Sequence, residues 1–197
     1  MKKLLLFLII AGAAWQIYHH RVQVTLGPGV TVSELPQQTS IESPVIHSVD
    51  GYAIQEVANF AIKAKVLSRE NYYLGREADL SPVDLALGWG NMSDEAVLEH
   101  IEISQSGRFY FWRTASLPIP RREIETHSAN MHLIPANAMV KKTLGRVRKG
   151  DLVEINGSLV NASSTDGWRW RSSLTREDTG SGACELIWVE SLNIITP

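Results

Sequence analysis

The stretch Arg148-Lys149-Gly150-Asp151-Leu152-Val153-Glu154-Ile155-Asn156-Gly157-Ser158-Leu159-Val160 decides how this chain folds. A Gly-Asp turn delivers a run in which Val153, Ile155 and Leu159 fall on one face, which is strand periodicity. Gly157 stands in the middle of that run, where a residue without a side chain lets a strand bend. Immediately upstream, Ala138 to Val147 fits a helix that buries Val140, Leu144 and Val147. Downstream, Asp166-Gly167 turns the chain into Trp168-Arg169-Trp170-Arg171, with the tryptophans on one side and the arginines on the other. Glu177 to Gly182 is a loop of turn formers, and Cys184 to Ile195 reads as a last strand.

The N-terminal half of the body carries the same kind of signal. Phe60, Ile62, Ala64 and Val66 alternate with Ala61, Lys63 and Lys65, which predicts a strand over Asn59 to Ser68. Ser81-Pro82 predicts a short helix through Asp84 to Leu87, ended by Gly88-Trp89-Gly90. Ser93 with Asp94 and Glu95 opens another, and Arg108 to Arg113 is aromatic enough for a strand. The fold class expected is α+β and β-rich: a small barrel resembling the OB type, with two or three short helices and an N-terminal membrane helix in front.

That membrane helix is read from Lys2 and Lys3, followed by the apolar run Leu4 to Trp15 and then Ile17 and Tyr18. Positive charge before a hydrophobic stretch keeps the N-terminus in the cytoplasm, and Trp15 and Tyr18 fit an interfacial belt. Ala11-Gly12-Ala13 also has the form of a cleavage site, but a cut there leaves only Leu4 to Ile10 as apolar region, so an uncleaved anchor is preferred. Residues 1–18 are thus the anchor or signal. Residues 19–50 are a linker with a short strand, polar and turn-rich from Ser33 to Pro44, and 51–197 are one β-rich domain. The expected location is the inner membrane, single-pass, with the C-terminal domain in the periplasm.

The chain of 197 residues has a formal charge of −2, which gives no global pull toward nucleic acid. The charge is uneven, with a basic stretch made by Arg121, Arg122, Lys141, Lys142, Arg146, Arg148 and Lys149. One cysteine, Cys184, excludes an internal disulfide framework.

The body also resembles an uncharacterised family of bacterial membrane-anchored proteins. The resemblance lies in Gly75-Arg76-Glu77-Ala78-Asp79-Leu80-Ser81-Pro82, Leu87-Gly88-Trp89-Gly90, Asn130-Met131-His132-Leu133-Ile134-Pro135-Ala136 and Ser172 through Gly180. It covers most of the chain after residue 50 and implies no mechanism.

Two functional expectations follow. The first is a non-catalytic envelope module that binds a partner protein or an envelope glycan or polymer. Its ligand face would be built from Arg169, Arg171, Arg176, Tyr110 and Trp112, since OB barrels use cationic, aromatic faces to stack rings and hold polyanions or sugars. Against it stands the reading that the tryptophans fill the barrel and the arginines pair with Glu154, Glu185 or Glu190. The second expectation is a cell-wall cysteine hydrolase or transpeptidase, with Cys184 as nucleophile and His127 or His132 as base. Gly180-Ser181-Gly182-Ala183-Cys184 is similar to the Ser-x-Gly-Cys loop of L,D-transpeptidases, with an alanine inserted. Strand periodicity instead puts Cys184 with Leu186, Trp188 and Leu192 as a small core residue. His127, Asn130 and His132 lack metal-ligand spacing, and no cofactor motif is present.

Overall fold

The computed structural model describes residues 23–178, 180 and 182–195, so the expected membrane segment lies outside the described residues. Among those described, no helix is long and apolar enough to cross a membrane. Ten strands are present: β1 (Gln37–Thr39), β2 (Ile46–Val49), β3 (Tyr52–Asn71), β4 (Val83–Gly88), β5 (Glu102–Ser106), β6 (Phe109–Arg113), β7 (Ser128–Pro135), β8 (Leu152–Ser164), β9 (Arg169–Arg171) and β10 (Glu185–Ile195). Four short helices join them: α1 (Arg76–Leu80), α2 (Glu95–Leu98), α3 (Arg121–Thr126) and α4 (Ala138–Leu144).

The main sheet runs β1-β3-β4-β7-β10-β8-β9, and β3 also pairs with β8, so the sheet partly closes into a ring of β3, β4, β7, β10 and β8. β7 and β10 are parallel; the other ring pairs are antiparallel. The alternation that announced β3 and β8 is what fills the ring. Phe60, Ile62 and Ala64 meet Val153, Ile155 and Leu159 inside it, together with Leu85, Leu87, Met131, Leu133, Ile187 and Val189. α4 packs Val140 and Leu144 against this core, followed by Val147, as its periodicity predicted.

Several expectations are corrected. Asp84 to Leu87 is not helical but belongs to strand β4, every residue of which is buried, with β3 on one edge and β7 on the other. A strand buried on both faces has no alternation to reveal it, and Ser81-Pro82 imitates a helix start. The helix lies just before it, at α1. The cap of α2 is Asp94, whose carboxylate accepts from the Ala96 N–H at 2.9 Å, rather than Ser93. Ser33 to Pro44 is not a free tether: β1 lies along β3, β2 follows on β3, and the preceding Val32 is buried in the core.

Bulges transfer strands between faces. Between Val189 and Ser191 the pairing of β10 with β8 slips, so Leu192 joins the ring interior while Leu186 and Trp188 lie outside it. Cys184 therefore does not share a face with Leu192. On that outer surface Leu186, Trp188, Ile54 and Val160 form a second cluster, covered by Trp168 and Trp170. The tryptophans of 168–170 do not fill the barrel; they roof one side of it. A third cluster, around Leu67, Ala86 and Met92, lies beneath the β5–β6 hairpin.

Candidate functional site

The β5–β6 hairpin folds over the start of β7. Its turn, Gly107-Arg108, takes positive φ at both residues, the geometry of a tight two-residue hairpin. Alternation then sends Tyr110 and Trp112 toward the barrel and Phe109 and Phe111 outward, 41% and 52% exposed. Tyr110 Oη lies 2.6 Å from Ser128 Oγ, and burial pushes its phenol up to about 12.

Arg108 pins the hairpin tip. Its Nη1 donates to Asp84 Oδ1 at 2.8 Å, its guanidinium stacks on Tyr72 at 3.7 Å, and its N–H donates to Tyr72 Oη at 3.0 Å. Asp84 is wholly buried, and its other oxygen lies 2.9 Å from His132 Nδ1. The His132 ring in turn packs 4.7 Å from the ring of Trp170. A buried carboxylate is tolerated here because the Arg108 guanidinium and the Ser81 hydroxyl both donate to its Oδ1.

Two neighbouring cavities open beside this pin, and Phe109 and Cys184 line both. The larger, about 570 Å³, has Phe111, Trp112 and Tyr110 on the hairpin side and Arg176, Asp178 and Glu185 opposite. The smaller, about 450 Å³, is bordered by Arg169, Arg171, Trp170 and His132. Together they form one groove across the outer face of β7.

The residues expected to bind are therefore brought to one groove, in altered roles. Arg169 and Arg171 are exposed and have no ion-pair partner among the described residues. Arg176 is committed instead: its Nε lies 2.6 Å from Glu185 Oε1 and its Nη1 donates to Gln38 Oε1 at 3.0 Å. Burial pushes the Glu185 carboxyl up to about 8, against the pull of Arg176. Of the suggested partners Glu154, Glu185 and Glu190, only Glu185 takes an arginine in the described residues. The exposed aromatic surface comes from Phe109 and Phe111 rather than Tyr110 and Trp112. Phe-Tyr-Phe-Trp alternates symmetrically, so the sequence shows that one pair is outside without showing which.

Cys184 sits at the junction of the two cavities, half-buried. Among the described residues its sulfur has hydrogen-bond contacts with the Arg108 carbonyl, at 3.8 Å, and Asn130 Nδ2, at 3.9 Å. His132 shares the smaller cavity but directs Nδ1 to Asp84; His127 lines neither cavity and packs near Trp89. No imidazole among the described residues lies within hydrogen-bond distance of the sulfur. Burial pushes the thiol up to about 11, which leaves it protonated at neutral pH. Native protein should accordingly react with a thiol-labelling reagent at neutral pH many-fold more slowly than unfolded protein. Fast labelling of the folded chain would show a thiolate that this geometry does not provide.

Comparison with family models, with curated proteins and with solved structures found no match to this chain.

Proposed function

We propose that this is a membrane-anchored, non-catalytic accessory module of the bacterial envelope, which binds a partner protein or an envelope polymer through the groove on β7. The ring order β3-β4-β7-β10-β8, with its one parallel pair and with α4 between β7 and β8, supports an OB-type barrel as the scaffold. In such barrels the ligand face lies on the second and third ring strands; here β4 is wholly buried, and the groove lies on β7. The observation that carries the reading is the groove itself: exposed Phe109 lines the smaller cavity with Arg169 and Arg171, which have no ion-pair partner among the described residues, and exposed Phe111 lines the larger cavity beside it. Aromatic faces stack on sugar or peptide surfaces, and unpartnered guanidinium groups pair bidentately with carboxylates or phosphates. The non-catalytic part rests on Cys184, a protonated thiol with no imidazole within hydrogen-bond distance among the described residues.

Sedimentation of the detergent-solubilised full-length protein with isolated cell-wall sacculi tests the polymer arm. The wild type should pellet. Arg169→Glu with Arg171→Glu should weaken retention about tenfold or more, and Cys184→Ala should leave it unchanged. Retention indifferent to both arginines would remove the polymer and leave the partner protein as the ligand.

A further inference from the structure

The described lysines and arginines divide sharply by pairing. Nine stand within 4 Å of a carboxylate, including Lys65 with Glu95, Arg76 with Asp166, and Arg148 with Asp151. Seven have no such partner among the described residues. Arg169 and Arg171 belong to the groove, and Arg69 stands alone. The other four, Lys141, Lys142, Arg146 and Lys149, all lie on α4 and the turn that follows it, and all are exposed.

The four fall within nine consecutive residues, 141–149. α4 spends Val140 and Leu144 on the ring core, so Lys141 and Lys142 take its opposite face, and Arg146 precedes the buried Val147. Met139, on the same helix, is 78% exposed. The chain's entry into the barrel is fixed at this same place. Gln23 bridges to Lys149, and the Val24 N–H donates to the Lys149 carbonyl at 2.8 Å. Gly150, at φ +89°, permits the contact, since a Cβ there would lie 1.8 Å from the Val24 carbonyl oxygen. Just beyond, Glu95 accepts the N–H groups of Leu26 at 2.8 Å and Gly27 at 2.7 Å, so the segment has no slack.

We infer that the outer face of α4 and the turn after it form a surface that rests on the anionic phospholipid headgroups of the bilayer holding the anchor. This rests on the anchored reading above. Five residue steps separate Tyr18 from Gln23, a reach of at most about 18 Å even when fully extended. Lys149, paired with Gln23, is therefore held near the headgroups by covalent connection, and Lys141, Lys142 and Arg146 lie within eight residues of it in the chain. Unpaired lysine and arginine gain there from the negative surface potential, over a Debye length of about 8 Å at physiological salt. An exposed methionine among them suits the boundary between headgroup and acyl chain. The anchor and the patch would together fix the barrel's orientation, where an anchor alone leaves it free to swivel.

The test uses the full-length chain in vesicles of phosphatidylcholine, with or without phosphatidylglycerol. An amine-reactive footprint at Lys141, Lys142 and Lys149 is compared with that at Lys63, on the barrel wall. Labelling of the three should be severalfold slower in anionic vesicles and recover at high salt, with Lys63 unchanged. In Lys141→Glu with Lys142→Glu, labelling of Lys149 should lose its dependence on lipid charge. Equal labelling in both vesicles, in protein that floats with them, would overturn the surface while leaving the anchor intact. Failure to float with either vesicle would overturn the anchor and this inference with it.

Discussion

Replacing Gly157 by alanine should lower the unfolding free energy by about 3 kcal/mol or more, among the largest effects of any single methyl group in this chain. Gly157 lies in β8 between Phe60 on β3 and Val189 on β10, where the ring closes. A Cβ built there would stand 1.9 Å from the carbonyl oxygen of Trp188 and 3.0 Å from its carbon. Those are backbone atoms of the partner strand, so no rotamer change relieves the clash; the β8–β10 ladder itself must open. At this chain length the change corresponds to a fall in melting temperature of roughly 6–12 °C. Gly145→Ala is the control. Its backbone is already helical, its Cβ would meet nothing closer than 3.5 Å, and it should be neutral or slightly stabilising. Thermal unfolding of both variants, followed by circular dichroism, checks the pair. Equal melting temperatures would show that the strands are further apart at Gly157 than described.

Arg108→Met should cost about 3 kcal/mol and also release the hairpin. The substitution keeps much of the side chain's length but removes the guanidinium from Asp84, leaving a wholly buried carboxylate with Ser81 and His132 as its remaining partners among the described residues. The loss comes mainly from stranding the buried charge. The double variant Arg108→Met with Asp84→Leu should therefore recover most of the stability, giving a large coupling in a double-mutant cycle. Urea denaturation measures both. Losses that simply add, with no recovery in the double variant, would mean that the pair does not hold the tip.

What the sequence disclosed depended on how each element is buried. β8 and α4 were legible because each buries one face, so Val153, Ile155 and Leu159, and Val140 and Leu144, repeat at the period of their element. β4 was not, because Val83 to Gly88 is buried on both faces and its apolar run fits either structure. β1 is three exposed residues whose contribution is backbone pairing, which composition does not record. Leu192 was misplaced by a bulge, which reverses the face of a strand without changing its residues' character. The groove followed the same logic. Arg169 and Arg171 were legible from alternation against Trp168 and Trp170. The pinning of Arg108 to Asp84 joins residues 24 apart in sequence through the packing of a hairpin on a sheet, and no local pattern announces it.

The claim that this groove is the ligand surface is tested most directly by site-specific photo-crosslinking in cells. The photoreactive residue is placed at Phe111 or Arg171 of the full-length chain, and at Ile46, an exposed residue of β2 that lines neither cavity. A discrete adduct should form from both groove positions and not from Ile46, and it should persist in Cys184→Ala. No adduct at either groove position beyond that at Ile46, or an adduct that vanishes with Cys184→Ala, would contradict a non-catalytic binding groove.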